Sequence, residues 1–180
     1  MNNAAERLGI EGRTFTLPQL YQQIGQRLEL DAQIPDDIPA NVTVTMAAED
    51  AVRVRLHDGR AEITLAIHEL TQGRKSYRDF KARAFYDPQS HGLVASLSRN
   101  DTIQLEGERL NLRAQIMLRG VFSKLFSQNR PLMLIDQKTA ADPRLAGLRV
   151  SQFLIDDGWL GLAIGPADRI TKRPGPRGAN

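Results

Sequence analysis

The stretch from Leu110 to Phe126 constrains the fold more than any other part of this sequence. Its apolar residues recur at steps of three and four, which places them on one wide stripe of an α-helix. These residues are Leu110, Ala114, Met117, Leu118, Val121, Phe122, Leu125 and Phe126. A strand is the alternative, because apolar residues also alternate over 110–118, but the helical pattern covers more of the stretch. We therefore predict one long amphipathic helix over residues 110–126.

A second, shorter helix is predicted nearer the N-terminus, over residues 17–29. Thr16 is a good N-cap with Gln19 three residues later, and Pro18 lies in the first turn, where its missing N–H does no harm. Leu17, Leu20, Tyr21, Ile24 and Leu28 then form a helical stripe.

Outside these two helices the apolar period is two, which predicts strands. The predicted strands cover residues 42–46, 52–57, 61–68, 76–86, 93–97, 103–105, 132–135, 148–155 and 159–164. Asp58-Gly59 and Asp157-Gly158 are dipeptides typical of two-residue hairpin turns, and we expect Val54 and Ile63 to share an apolar face. Residues 87–92 are rich in turn-forming residue types and are predicted to form a loop.

Strands that follow one another without intervening helices favour antiparallel pairing. We predict an α+β fold in which a curved antiparallel sheet of about seven to nine strands wraps around the long amphipathic helix, with the shorter N-terminal helix beside it. The predicted domain covers residues 14–165. A flexible lead-in (1–13) precedes it, and a disordered tail rich in proline, glycine and arginine (166–180) follows it.

Composition narrows the class of protein only moderately. The chain has 180 residues, of which 41% are hydrophobic and 25% charged, as in an ordinary globular domain. A net charge of +3 does not require a polyanionic partner. The absence of cysteine excludes disulfides and thiolate chemistry. No apolar run reaches the ~20 residues of a membrane span, and the first residues do not resemble a signal peptide, so the compartment stays open.

The sequence contains no recognisable catalytic or metal-binding motif. It has neither a Gly-x-Ser-x-Gly elbow nor a phosphate-binding loop. The three histidines, His57, His68 and His91, lack the spacing of a helical metal site. We therefore predict a non-enzymatic protein with no catalytic residue, metal or cofactor.

Basic and aromatic residues alternate over residues 74–83. This pattern is typical of surfaces that bind single-stranded nucleic acid, and it makes nucleic-acid binding one alternative function. Asp79 interrupts the positive charge, however, so we favour an ordinary solvated sheet face and predict no nucleic-acid partner. The same cations would also suit transient contact with an anionic membrane surface.

The order of elements resembles the tubular lipid-binding (TULIP) domains, which include bactericidal/permeability-increasing-type domains and small bacterial lipoproteins. Three stretches carry the resemblance, which covers roughly residues 15–164. FTLPQLYQQIGQRL is similar to the opening helix of the lipoprotein members, ARAFYDPQSHGLVASL to a hairpin, and LRVSQFLIDDGWLGLAI to the closing strands. The chain lacks the cysteine that such lipoproteins lipidate.

The resemblance implies a non-enzymatic domain that binds a lipid-like ligand in a cleft between the sheet and the long helix. It also implies a periplasmic or membrane-associated location, if a signal has been removed. The predicted ligand-binding residues are Leu20, Ile24, Met117, Val121, Phe122, Leu125, Phe126 and Trp159. The alternative is a structural or protein-interaction module with a fully packed core, whose protein partner the sequence does not identify.

Overall fold

Strands dominate the fold. The computed structural model, which describes residues 9–27 and 34–167, joins most of them in one antiparallel sheet. The sheet curls strongly into a half-barrel whose continuous path has six strands. Three α-helices accompany it within the described residues. The fold is therefore broadly of the α+β class, as predicted.

The elements of the described chain have the following bounds. The strands are β1 (Thr14–Thr16), β2 (Val42–Met46), β3 (Val52–His57), β4 (Arg60–Gln72), β5 (Lys75–His91), β6 (Val94–Arg99), β7 (Gln104–Glu106), β8 (Leu132–Ile135), β9 (Leu148–Asp156) and β10 (Trp159–Pro166). The helices are α1 (Leu17–Arg27), α2 (Leu112–Leu125) and α3 (Gln137–Ala140). A 3-10 turn covers Pro143–Leu145.

Two long strands connect the parts of the sheet. One edge of β4 pairs first with β3, over residues 60–65, and then with β2, over residues 67–72. The other edge of β4 pairs with β5. β5 in turn pairs with β7 near its middle and with β6 over its last residues. The β2–β4 ladder shifts register between Thr45 and Met46, which leaves His68 as an extra residue of β4. Such a bulge bends the strand and increases its twist, and so contributes to the curl.

Both predicted Asp-Gly turns lie at the tips of antiparallel hairpins, so this prediction is confirmed. Asp58 and Gly59 join β3 to β4 with φ angles of 49° and 77°, and Asp157 and Gly158 join β9 to β10 with φ angles of 31° and 88°. Positive φ at both central residues is the turn geometry that matches the twist of the flanking strands. As expected, Val54 pairs with Ile63.

The predicted loop at residues 87–92 is wrong, because β5 continues through Pro88 to His91. Proline is tolerated here because the β4–β5 ladder ends at the pair Ala61 and Tyr86. Beyond that point β5 pairs only with β6, so one edge of the strand needs no N–H donor. The turn falls at Gly92, whose φ of 59° favours glycine.

The two long helices occur where the sequence predicts them. α1 ends at Arg27, and the last two residues of the predicted helix lie outside the described part of the chain. Its capping box is formed, since the Thr16 N–H donates to Gln19 Oε1 at 2.9 Å and the Gln19 N–H donates to Thr16 Oγ1 at 3.4 Å. α2 is slightly shorter than the predicted 110–126.

The folded region includes residues that the sequence assigns to the lead-in. Ile10 is buried in the core, and the Gly12 N–H donates to the Ala47 carbonyl at 2.9 Å. The carbonyl of Arg13 accepts from the Met46 N–H at the same distance. Residues 1–8 lie outside the described chain, as does the predicted tail from residue 168 onward.

The sheet and α2 contribute to one hydrophobic core. Leu65 and Leu70 of β4 are fully buried in it, together with Leu118 and Phe122 of α2. The rings of Phe80 and Phe122 meet edge to face, with centroids 6.0 Å apart and planes at 74°. This geometry is favourable for the aromatic quadrupoles and fixes α2 against β5.

The β9–β10 hairpin forms a separate two-stranded sheet that packs on the same core through Ile155. Two backbone hydrogen bonds attach it to the half-barrel. The Gly158 N–H donates to the Leu56 carbonyl at 2.7 Å, and the Val150 N–H donates to the Gly92 carbonyl at 2.8 Å. The hairpin is therefore held at both ends by main-chain contacts.

Candidate functional site

Both ends of α2 are fixed by hydrogen bonds. At the N-terminus, Asn111 caps the helix by accepting from the Ala114 N–H at 2.9 Å. At the C-terminus, the guanidinium of Arg99 donates to the carbonyl oxygens of Phe126 and Asp101. Arg99 is buried, and desolvation lowers its pKa from the ordinary value. The helix is therefore held in one orientation relative to the sheet.

This orientation divides α2 into two unlike faces. The face toward the core buries Ala114, Leu118, Val121, Phe122 and Leu125. The opposite face exposes large aliphatic side chains one turn apart, with Leu112 71% and Ile116 63% exposed. Two exposed aliphatic residues at this spacing form a short apolar ridge on the outside of the molecule.

Cations flank this ridge on both sides. At 100° per residue, Arg119 projects on one side of Ile116, and Arg113 and Lys124 project on the other. All three residues are exposed, and α2 contains no acidic residue. Among the described residues, none of the ion pairs involves these cations. We call the ridge and its three flanking cations the outer face of α2.

A small pocket adjoins the outer face. It has a volume of about 210 Å³ and is lined by Pro39, Gln72, Met117, Gly120, Val121 and Lys124. Pockets that hold small molecules usually measure ~300–1,000 Å³, so this one would hold only part of a ligand. Its lining is apolar on the helix side, and the cation of Lys124 lies at its rim.

The eight predicted ligand-binding residues fall into three groups. Five are buried in the core: Leu20, Val121, Phe122, Leu125 and Phe126. Ile24 and Met117 are partly buried and pack against that core. Trp159 is separate from them, because it begins β10 and is 80% exposed. The structure thus brings seven of the eight together, and two of these seven, Met117 and Val121, line the small pocket.

The basic stretch 74–83 lies on β5, where carboxylates interrupt its charge. Arg78 pairs with Glu69 across the β4–β5 ladder at 2.9 Å. Arg83 pairs with Glu106 of β7 at 2.5 Å. Two of the five cations in this stretch are therefore paired with carboxylates of neighbouring strands.

A second groove lies on the sheet, and no sequence pattern pointed to it. It has a volume of about 860 Å³ and crosses four strands at the bend of the sheet. His68 and Asp79 face each other in it, with Nδ1 and Oδ1 3.0 Å apart. Asp79 has a φ of 52°, in the left-handed region that non-glycine residues rarely adopt. Its sequence position looks like an ordinary strand residue, so no local pattern could have revealed this conformation.

The charges around the groove do not select one sign of ligand. The lining contains the cations of Lys81 and Arg109, the imidazole of His68, and the acidic side chains of Asp79, Glu106 and Glu108. Small residues contribute to the lining, and Gly107 approaches β5 so closely that a Cβ would lie 2.8 Å from Phe80 Cβ. The groove therefore has mixed polar walls and closely packed backbone at Gly107.

A polar cluster on β3 and β4 serves a structural role. The Glu62 carboxylate is buried and accepts from Thr64 Oγ1 at 2.8 Å, while its other oxygen lies 3.1 Å from His57 Nε2. Burial pushes the pKa of Glu62 upward, but these hydrogen bonds outweigh it and the pKa lies below its ordinary value. Hydrogen bonds to Asp58 and Glu62 raise the pKa of His57. The cluster satisfies its own polar groups.

No group of three or more histidine or acidic side chains is arranged to hold a metal ion in residues 9–27 and 34–167. In the same ranges, no helix has both the length and the apolarity to cross a bilayer.

Comparison with known proteins assigns no relationship. The chain matches no protein-family model, no curated protein and no solved structure.

Proposed function

We propose that this protein is a non-enzymatic domain that docks on anionic lipid surfaces through the outer face of α2. The observation that carries the proposal is the exposed pair Leu112 and Ile116, flanked by Arg113, Arg119 and Lys124 on a helix without acidic residues. A helix that lies in a membrane interface needs an apolar ridge to enter the headgroup region and cations to meet anionic lipids.

The expected energies suit reversible docking. Each cation close to an anionic bilayer contributes ~1 kcal/mol. Burial of an exposed aliphatic side chain contributes ~1.5–3 kcal/mol when it is complete. Arginine and lysine can also extend their charged ends toward the phosphates while their stems stay in apolar surroundings. These contributions together give salt-sensitive binding, without a membrane span.

The packing of α2 supports this use of the helix. We propose that the curved sheet wraps around the core face of α2 and acts as a rigid support that holds the outer face toward the lipid. The edge-to-face contact of Phe122 with Phe80 and the bonds from Arg99 support this architecture. A helix held in this way does not need to fold on binding, so it avoids that entropic cost.

Sedimentation with vesicles tests the proposal. We expect the protein to bind vesicles of phosphatidylcholine that contain phosphatidylserine, and to bind pure phosphatidylcholine vesicles much less. The double variant Arg113→Gln/Arg119→Gln loses two surface contacts of ~1 kcal/mol each and should bind roughly 30-fold more weakly. The matched control, Arg53→Gln/Arg55→Gln on β3, removes the same charge away from α2 and should bind like the wild type.

The apolar half of the interface needs its own variant. Ile116→Ser keeps all charges and should weaken binding by about tenfold, because it removes one exposed aliphatic contact. Leu134→Ser on β8 is the control, since Leu134 is also an exposed aliphatic residue but lies off α2. Wild-type protein that ignores phosphatidylserine, or binding that the two α2 variants leave unchanged, would refute the proposal.

A lipid-like ligand in a cleft is the second candidate, and the pocket beside Met117 and Val121 favours it. An acyl end would contact these two residues, and Lys124 would meet an acidic head group. Val121→Trp would fill the pocket. The test is uptake of a fluorescent fatty acid in the absence of vesicles. Uptake by the wild type that Val121→Trp abolishes would support this candidate. No uptake by the wild type would exclude it.

A further inference from the structure

β10 presents an open sheet edge with an unusual composition. The strand runs from Trp159 to Pro166 and pairs on one side with β9, while its other side pairs with no strand of the described chain. Its sequence, WLGLAIGP, contains no charged residue. Monomeric proteins usually protect an exposed edge with charges, bulges or a cover, because unpaired N–H and C=O groups attract another strand. The ladder of this hairpin shifts register between Ala163 and Ile164, but the extra residue is Ser151 of β9, so β10 itself carries no bulge.

The strand is also complementary to itself. Trp159, Gly161 and Ala163 lie on the face directed away from the core, because Leu160, which alternates with them, packs against the core beside its strand partner Ile155. This row has one bulky residue and two small ones. In an antiparallel pair of two β10 strands with the two-fold axis at Ala163, the two Ala163 side chains lie opposite each other and Gly161 of each copy lies opposite Gly165 of the other. Small residues therefore meet across the axis, and each indole lies outside them.

Charge at the two ends of the hairpin favours the same arrangement. The tip carries the exposed carboxylates Asp156 and Asp157, and the base of β9 carries Arg149. Antiparallel pairing places the acidic tip of one hairpin toward the Arg149 end of the other. Parallel pairing would place like charges together, which is unfavourable.

We propose that two copies of this chain associate by antiparallel pairing of their β10 strands, which joins two hairpins into one four-stranded sheet. The partner is a second copy of this chain. The strand is uncharged, its side chains fit against those of an identical strand, and the acidic end of each hairpin meets the basic end of the other. The pairing is isologous and closes with two copies. This proposal is independent of lipid docking, since β10 and α2 are separate elements.

Sedimentation equilibrium on the full chain tests the pairing. The wild type should show a monomer–dimer equilibrium with a dissociation constant on the order of micromolar, as for a small interface. Trp159 is the only tryptophan, so its emission should shift to the blue as concentration rises. A wild type that stays monomeric at high micromolar concentration overturns the proposal.

Matched charge variants test the position of the interface. Ala163→Lys places a lysine on β10 near the two-fold axis and should weaken the dimer at least ~30-fold, because two like charges then face each other. Gln152→Lys is the control, because Gln152 pairs with Ala163 on the same face but lies on β9. It should dimerise like the wild type.

A mixing experiment separates loss of the interface from loss of folding. Ala163→Lys and Ala163→Glu should each be monomeric, and their equimolar mixture should form a heterodimer, because opposite charges then meet across the axis. Failure of the mixture to associate, a dimer unaffected by Ala163→Lys, or equal loss in Gln152→Lys overturns the proposal.

Discussion

Phe122→Ala is the substitution that most directly tests how α2 packs. Phe122 has no exposed surface, and its ring meets that of Phe80 edge to face at 6.0 Å. Truncation of a buried phenylalanine usually costs ~3–5 kcal/mol, because contacts are lost and a cavity remains. The aromatic pair accounts for ~0.5–1.5 kcal/mol of that loss. Because strands and two capped helix ends surround the site, little collapse is possible and we expect ~4 kcal/mol.

Chemical denaturation of the wild type and the variant measures this cost. A loss of ~4 kcal/mol should also lower the thermal midpoint by ~8–16 °C for a chain of this size. Leu112→Ala is the matched control on the same helix, since Leu112 is 71% exposed. An exposed substitution of this kind should change the free energy of unfolding by no more than ~0.5 kcal/mol.

A small effect at Phe122 would refute the packing argument. If Phe122→Ala costs under ~1 kcal/mol, the ring cannot be part of a close-packed core. The helix would then line an open cleft, as in the second candidate function. Loss of fatty-acid uptake in the same variant, without loss of stability, would establish that alternative.

Four single residues give further expected outcomes. Arg99→Met should destabilise the fold by ~2–4 kcal/mol in denaturant titration, because it leaves the buried carbonyl of Phe126 without its charged donor. Gly107→Ala should lower the free energy of unfolding by ~1–3 kcal/mol, because the added Cβ would meet Phe80. Gly120→Ala should raise it by up to ~1 kcal/mol, because the space around Gly120 is open and alanine favours the helix. Burial raises the pKa of Tyr86 to about 12. The unfolded chain therefore releases this proton first, and the free energy of unfolding, measured by denaturant titration, should fall as pH rises from ~10 to ~12.

Local sequence patterns predict those turns and helix ends that neighbouring residues in the chain determine. The Asp-Gly dipeptides predict two hairpins because few other residues adopt positive φ at both turn positions. The capping residues Thr16 and Gln19 predict the start of α1. The apolar period predicts α2, although the Asn111 cap makes the helix start two residues later than the stripe.

The remaining features depend on contacts distant in sequence. The continuation of β5 through Pro88 depends on where β4 ends, which no local pattern records. The left-handed Asp79 depends on the neighbouring bulge at His68. For the same reason, the ridge on α2 could not be separated from its core stripe by periodicity. Leu112 and Ile116 are as apolar as their buried neighbours, and only the position of the sheet determines which face is exposed.

A single labelled thiol on α2 tests the lipid-docking proposal most directly. The chain has no cysteine, so Ile116→Cys provides a unique site for a polarity-sensitive fluorophore. On addition of vesicles containing phosphatidylserine, the emission of this probe should shift to the blue, and salt should reverse the shift. The same probe at Leu134→Cys on β8 should not respond. No shift at residue 116, or equal shifts at both positions, would contradict docking through the outer face of α2.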